Sequence, residues 1–239
     1  AYVGAAGNAE FNRLVERLVL GGAHPASGAA RVRCVQAPGG CGALRIGAEL
    51  IRIARPEAAI HVSEPTWANH LPLLGNAGLV VAGYPYLERT TGRVQFAAML
   101  GRLAGLPAGT VVLLQACCHN PTGADLSEPQ WQAVAEVLRE RGLLPFVDIA
   151  YQGLGRDPDA DAFGPRLLAR ELPEVLIAVS CSKNFGLYRE RVGALIIVRP
   201  GGGVFGWTAA LPLASALIFS FFLIITRKVA TASSATSTN

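Results

Sequence analysis

The sequence lacks the features of a nucleic-acid-binding protein, a zinc protein or a secreted protein. Its net charge of +4 comes from basic residues scattered among acidic ones, so no basic patch is available for nucleic acid. The five cysteines include one adjacent pair but no Cys-x-x-Cys motif, a pattern that fits neither a disulfide framework nor a metal site. No charged segment followed by an apolar run opens the chain. We therefore expect a cytoplasmic protein with no nucleic-acid partner and no bound metal.

Charged residues are scarce, at 16%, whereas 51% of the 239 residues are hydrophobic, which suffices for one large buried core. Apolar residues recur at helical spacing in some segments and form short continuous runs in others. The predicted helices lie at 8–21, from a glycine-rich turn to about 55, at 93–104 and at 127–141, and the predicted strands lie at 58–62, 79–82, 110–115, 143–147 and 175–179. Because strands and helices alternate, we expect an α/β fold with a mainly parallel, doubly wound sheet.

The most informative stretch is 180–193, which places Lys183 shortly after an apolar run. A buried parallel strand that ends there would deliver the lysine to a cleft. Desolvation disfavours the ammonium form of a lysine and makes its amine available to condense with an aldehyde. The donors that a phosphate group requires are present at Ser180, Ser182 and Arg191. A lysine with phosphate donors indicates pyridoxal phosphate, although a surface loop with unrelated cations would explain an isolated Ser-x-Ser-Lys string.

Three other segments carry residues suited to a binding site, one at the start of a predicted helix and two after predicted strands. The glycine-rich turn at 36–42 leads into a helix, and unpaired N–H groups at a helix start bind anions. Trp67 and His70 follow a strand, where a packed core pair is the simpler interpretation. Asn120 lies in the string Cys-Cys-His-Asn-Pro-Thr-Gly, which alone would suit an ordinary turn.

Asp148 directly follows the strand predicted at 143–147. A carboxylate at the end of a central strand is costly to bury unless it is paired. A protonated pyridine nitrogen is a suitable partner, because the pair would keep a pyridoxal cofactor able to accept electrons.

Together these strings closely resemble those of the class I aminotransferases, in the branch that holds the aspartate and aromatic amino acid aminotransferases. The resemblance covers about 2–198, most of the large domain and about half of a complete enzyme. It implies the fold type I large domain of pyridoxal phosphate enzymes, with a mainly parallel sheet flanked by helices, truncated and followed by an apolar C-terminal helix. The resulting domain division is 1–200 for the partial cofactor-binding domain and 201–239 for an unrelated linker, apolar segment and tail.

The resemblance also implies roles for individual residues. Lys183 would form the Schiff base with pyridoxal 5'-phosphate and carry the proton of transamination. Asp148 would hold the ring nitrogen, and Tyr151 would donate to the phenolic oxygen. His70 and Gln115 would support the residues that contact the cofactor. The other cofactor-binding residues implied are Gly40, Cys41, Trp67, Asn120, Ser180, Ser182, Arg191 and, across a dimer interface, Tyr2.

Two residues at the site depart from the pattern of this branch. Cys41 stands where a hydroxyl residue is expected, and a thiol is a poor hydrogen-bond donor to phosphate. Gln115 replaces a histidine that the branch often carries. This change would alter the support of the residues that contact the cofactor but would not remove a catalytic group. The arginines that bind the substrate's carboxylates in this branch lie in missing parts, so the sequence leaves aspartate and aromatic preference open.

An almost uncharged run at 204–226 takes the place of the small domain, and Arg227 and Lys228 follow it. Its length suits a membrane span with the basic residues on the cytoplasmic side. A shifted or fused coding sequence after Pro200 would also explain the run, and we favour this second explanation because the enzyme fold requires no span there.

The sequence thus predicts a homodimeric, pyridoxal-phosphate-dependent aminotransferase acting between an aromatic or acidic L-amino acid and a 2-oxo acid. Because the carboxylate-binding arginines are missing, we expect the cofactor to bind without appreciable turnover. Two alternatives remain. One is another fold type I enzyme, such as a lyase or decarboxylase, and the other is a non-catalytic, membrane-tethered remnant.

Overall fold

The computed structural model describes residues 4–199. In this range the helices are α1 (Ala9–Leu20), α2 (Pro25–Gly28), α3 (Gly39–Ala54), α4 (His70–Gly75), α5 (Phe96–Ala104), α6 (Glu128–Arg141) and α7 (Phe163–Glu171). The strands are β1 (Val32–Pro38), β2 (Ala59–Glu64), β3 (Val80–Pro85), β4 (Leu87–Glu88), β5 (Arg93–Val94), β6 (Val111–Gln115), β7 (Leu144–Ile149), β8 (Val175–Ser180) and β9 (Val192–Val198).

Seven strands form one sheet in the order β1-β9-β8-β7-β6-β2-β3. Strand β9 runs antiparallel to both of its neighbours, and all other neighbouring pairs in this sheet are parallel. The predicted α/β fold with a mainly parallel sheet is therefore confirmed. Every residue of β7 and β8 is buried, as expected for central strands that are covered on both faces.

The sheet separates two hydrophobic cores. Helices α1, α5, α6 and α7 contribute to one core, and α3 and α4 contribute to the other. Along β7, Val147 and Ile149 belong to the first core, whereas Leu144 and Phe146 belong to the second. Since side chains alternate along a strand, Asp148 belongs to the face that α3 covers.

Local sequence signals predicted several element ends correctly. The side chain of Asn8 accepts hydrogen bonds from the backbone of Glu10 and Phe11 and so caps α1. Ser127 and Gln130 form the predicted capping box of α6. Trp131 of this helix is buried in the core, also as predicted.

The helix predicted from residue 93 begins later, at Phe96. Arg93 and Val94 instead form β5, which pairs with β4 in a separate two-stranded sheet. Strand β1 and helix α7 have no counterpart among the elements predicted from sequence.

Tyr2, the apolar run 204–226 and Arg227 lie outside the described residues, so their predicted roles stay predictions. Within residues 4–199, no helix is both long and apolar enough to cross a membrane.

Candidate active site

A cavity of about 210 Å³ lies where β6, β7 and β8 end and α3 begins. The predicted site residues that line it are Gly40, Cys41, Trp67, Gln115, Asn120, Asp148, Tyr151, Ser180, Ser182, Lys183 and Arg191. Leu44, Ala150 and Tyr188 complete the lining and were not predicted. The carboxyl ends of neighbouring parallel strands meet at one edge of a sheet, which explains why residues far apart in sequence converge there.

Two glycines, Gly193 and Gly40, allow the backbone segments around the cavity to approach one another closely. A Cβ atom on Gly193 would lie 2.5 Å from the carbonyl oxygen of Val179 and 2.6 Å from the carbonyl carbon of Gly39. A Cβ atom on Gly40 would lie 2.9 Å from the Cβ atom of Ser180. Any larger residue at these positions would therefore push α3 away from the ends of β8 and β9.

The first turn of α3 and the side chain of Arg191 form a cup suited to an anion. Pro38 precedes α3 and makes no side-chain cap, so the first N–H groups of the helix have no capping acceptor. A Cβ atom on Gly39 would lie 2.8 Å from Nη2 of Arg191, which shows how closely the guanidinium packs against this turn. Arg191 has a φ of 52°, an uncommon value for a residue other than glycine. The helix dipole, the guanidinium and the nearby Ser180 hydroxyl all favour negative charge in this cup.

Asp148 is a buried residue of the lining, and its Oδ2 atom lies 3.0 Å from Nε2 of His70. His70 is fully buried, and its Nδ1 atom lies 2.7 Å from the hydroxyl of Thr66. Trp67 packs edge-on against the His70 ring, with centroids 5.3 Å apart. His70 therefore contacts Asp148, the residue that it was predicted to support. Among the described residues, His70 is the one side-chain hydrogen-bond partner of Asp148, which leaves carboxylate capacity for a donor in the cavity.

Lys183 follows β8 in a turn and reaches the cavity beneath an exposed aromatic ring. Its Nζ atom lies 4.4 Å from the ring centroid of Tyr188, a cation–π distance. The Tyr188 side chain is 55% exposed. The signal that could have identified Tyr188 in the sequence is its place five residues after the lysine.

Asn120 lies in a loop organised by His119, which sequence reasoning did not single out. The His119 ring is buried and stacks on the ring of Tyr86, with centroids 4.0 Å apart. Burial, and to a smaller extent the nearby His70, lower the pKa of His119 to about 4, so the ring is neutral at pH 7. A buried imidazole is hard to recognise in a sequence because its role depends on contacts made across the fold.

The five cysteines are free thiols. Cys41 lines the cavity at the helix start, where the sequence predicted it. Burial raises the pKa of the Cys34 thiol to about 12 and also raises the pKa values of Cys117, Cys118 and Cys181. These four thiols are therefore protonated at neutral pH and pack as small apolar groups.

Comparison with known proteins places this geometry in a family context. The family described as "Aminotransferase class I and II" matches residues 1–237. The aromatic-amino-acid aminotransferase of Pseudomonas aeruginosa is 50% identical over 197 residues, which are 82% of this chain and 49% of that protein. The aspartate aminotransferase of the same organism is 42% identical, with 82% of this chain and 50% of that protein covered. The chain thus spans about half the length of these curated relatives.

Solved structures of aminotransferases are also similar to the chain. An aromatic amino acid aminotransferase from Burkholderia cenocepacia superimposes with a TM-score of 0.87 at 44% identity, covering 92% of this chain and 56% of the other. An aromatic-amino-acid aminotransferase from Burkholderia pseudomallei, covalently bound to pyridoxal phosphate, gives a TM-score of 0.82 at 46% identity, with 84% of this chain and 50% of the other covered. The predicted fold type I class is therefore confirmed.

Proposed function

The chain belongs to the family of class I and II aminotransferases, and we propose that its described residues form the pyridoxal-phosphate-binding part of a transamination site. One observation carries the proposal. A single cavity brings together an amine at Lys183, an anion cup at Gly40 and Arg191, and a buried carboxylate at Asp148. Pyridoxal phosphate carries an aldehyde, a phosphate and a basic ring nitrogen, and each of these groups would have a matching partner among these residues.

The lining residues fit the cofactor in composition as well as in charge. Gly40, Ser180, Ser182 and Arg191 would hold the phosphate through backbone, hydroxyl and guanidinium donors. The indole of Trp67 offers a flat apolar surface for the pyridine ring. The thiol of Cys41 would contribute packing and little hydrogen bonding.

Polar side chains would fix the rest of the ring. Asn120 and Tyr151 would donate hydrogen bonds to the phenolic oxygen. Asp148 would pair with the protonated ring nitrogen, and its contact with His70 holds the carboxylate in place for that pairing.

When bound, pyridoxal phosphate supplies an electron sink that stabilises the negative charge formed when a substrate amino acid loses its Cα proton. Lys183 would condense with the aldehyde through its Nζ atom. Once a substrate amine has released it, the amine of Lys183 would take the proton from the substrate's Cα and deliver it to the former aldehyde carbon, as amino-group transfer requires.

The proposed reaction is amino-group transfer from an L-amino acid to a 2-oxo acid. Because the similar proteins named above include both aromatic-amino-acid and aspartate aminotransferases, we propose aromatic or acidic substrates. We further propose a homodimer, in which Tyr2 would reach the phosphate of the partner subunit. In the domain division that we propose, residues 1–200 form the cofactor-binding unit and 201–239 a separate segment.

The sequence offers a sharp test, because it contains only two lysines, Lys183 and Lys228. The chain is mixed with pyridoxal phosphate, its absorbance is recorded, and the bound cofactor is fixed by borohydride reduction and located by peptide mass spectrometry. We expect the label on Lys183, loss of the absorbance change in Lys183→Ala, and an unchanged signal in the matched control Lys228→Ala. A label on Lys228, or an absorbance change that survives in Lys183→Ala, would contradict the proposal.

A further inference from the structure

The side chain of Gln115 forms a two-hydrogen-bond clamp with the backbone of Asn120. The backbone N–H of Asn120 donates to Oε1 of Gln115 at 2.8 Å, and Nε2 of Gln115 donates to the carbonyl oxygen of Asn120 at 2.9 Å. The amide thus pairs with the loop as the backbone of a neighbouring strand would. Gln115 is the last residue of β6, so the clamp ties the loop that carries Asn120 to a rigid element.

This clamp determines which way the Gln115 amide faces. If the amide were turned over, its NH₂ group would face the N–H of Asn120 and its oxygen would face a carbonyl oxygen. Both contacts would be repulsive, so the observed orientation is the one that the backbone allows. In this orientation the Nε2 atom of Gln115 lies 3.2 Å from Nε2 of His119.

The orientation of Gln115 in turn determines the protonation of His119. An amide nitrogen is a donor only, so Nε2 of His119 must be an acceptor. The hydroxyl of Ser63, 2.9 Å from the same atom, donates to it as well. The single ring proton of the neutral imidazole therefore lies on Nδ1, which donates to the hydroxyl of Thr122 at 2.9 Å.

A histidine at position 115 could not do the same. A neutral imidazole has one donor and one acceptor, whereas Gln115 serves two acceptors, the carbonyl of Asn120 and Nε2 of His119, while also accepting from the Asn120 N–H. A glutamine at position 115 therefore satisfies the donors and acceptors of this loop, which a histidine could not.

We propose that Gln115 is a positioning residue, which holds Asn120 at the cavity wall and imposes the Nδ1–H tautomer on His119. The part that concerns the cofactor rests on the proposed function, because Asn120 matters there through its contact with pyridoxal phosphate. The tautomer is a property of the chain alone. The two parts are therefore tested by separate measurements.

The experiment compares Gln115→Glu with the matched control Gln130→Glu. In both glutamines Oε1 accepts a backbone N–H at 2.8 Å, but Gln130 lies at the start of α6 and outside the cavity lining. The ring-nitrogen NMR shifts of the four histidines are recorded in the cofactor-free chain, with His119→Asn used to assign the His119 signal. The dissociation constant of pyridoxal phosphate is measured by absorbance titration.

We expect unmodified His119 to show a protonated Nδ1 and a bare Nε2. In Gln115→Glu a carboxylate oxygen replaces the donor, so Nε2 should become protonated, and pyridoxal phosphate should bind about tenfold more weakly. Gln130→Glu should leave both readouts unchanged. The neutral variant Gln115→Met, which removes the clamp without adding charge, should also weaken cofactor binding. Because no amide donor then faces Nε2 of His119, the Nδ1–H tautomer should no longer be the sole one.

Several results would overturn the inference. A proton on Nε2 of His119 in the unmodified chain would disprove the assigned tautomer, whatever the variants do. Full cofactor affinity in both folded Gln115 variants would disprove the positioning role. If the unmodified chain did not bind pyridoxal phosphate, the proposed function and the cofactor part of the inference would fail together, while the NMR measurement would still decide the tautomer.

Discussion

The Nε2 atom of His70 lies 3.0 Å from the Oδ2 atom of Asp148 in a place where both side chains are buried. This contact joins the start of α4 to the end of β7, and the Thr66 hydroxyl anchors the other side of the imidazole. A buried carboxylate with one side-chain partner is poorly compensated. The arrangement is therefore best suited to a further cationic donor in the cavity, which the pyridinium nitrogen of pyridoxal phosphate would supply.

Replacing Asp148 should consequently weaken cofactor binding. In Asp148→Asn the side chain keeps its shape but loses its charge, so we expect at least tenfold weaker retention of pyridoxal phosphate, because the protonated ring nitrogen loses its ionic partner. The control is Asp159→Asn, whose side chain is 85% exposed. Absorbance titration of both variants checks the prediction. Equal affinity of the Asp148 variant and the unmodified chain would count against the assigned role.

The close approach at Gly193 should make this position sensitive to a single methyl group. In Gly193→Ala the new Cβ atom would meet the backbone of Val179 and Gly39, so we expect destabilisation of about 1–3 kcal/mol and weaker cofactor binding. Gly101→Ala is the matched control, because Gly101 lies inside α5 with nothing within 4 Å of a new Cβ atom. Alanine there should be neutral or stabilising by up to about 1 kcal/mol. Denaturant unfolding of the two variants separates these outcomes, and equal stability would refute the steric argument.

The free energy of unfolding should fall as the pH drops from about 6.5 towards 4, because His119 takes up a proton more readily in the unfolded chain than in the folded one. Its pKa in the folded chain is about 4, below the value of 6.5 for an unperturbed histidine, because burial disfavours the charged ring. The unfolded chain therefore binds the proton first, and stability present above pH 6.5 is lost as the pH falls. The expected loss by pH 4 is about 3 kcal/mol.

The measurement is denaturant unfolding between pH 7 and 4 for the unmodified chain and for His119→Asn. The variant should lose less stability over this range, although its stability at pH 7 is expected to be lower. Parallel pH dependence in the two proteins would show that His119 is not the group responsible. Burial also lowers the pKa of His61, so part of the acid sensitivity should remain in the variant.

We expect the chain to bind pyridoxal phosphate without appreciable transamination. Among the described residues, Arg191 is the one arginine that lines the cavity, and the proposed function assigns it to the phosphate. Within residues 4–199 the α-carboxylate of a substrate then has no guanidinium in the cavity to orient it, and orientation of this kind can lower a barrier by roughly 7–11 kcal/mol. Single-turnover spectroscopy with aspartate, glutamate, tyrosine and phenylalanine tests this expectation. Conversion at about 10 per second, an ordinary enzymatic rate, would show it to be wrong.

The sequence by itself determined the elements whose ends depend on neighbouring residues. The capping box of Ser127 and Gln130 locates the start of α6 because both of its hydrogen bonds lie within one helical turn. Asn8 does the same for α1. Short apolar runs identified β6, β7 and β8 because central strands of a parallel sheet are buried on both faces. Similar local strings marked Lys183 and Asp148 as members of the site.

Only the tertiary structure decided features that depend on distant partners. Strand β1 is partly polar, so its local sequence did not predict a strand. It is defined by its pairing with β9, in which Val32 lies opposite Val198. Residues 93–94 form a strand because β4 offers them a partner, whereas their local pattern suited a helix. The role of His119 in organising its loop depends on contacts with Gln115, Ser63 and Tyr86, which the tertiary structure brings around its ring. Its protonation follows from burial and from the direction of a neighbouring amide, and both are consequences of how the chain folds back on itself.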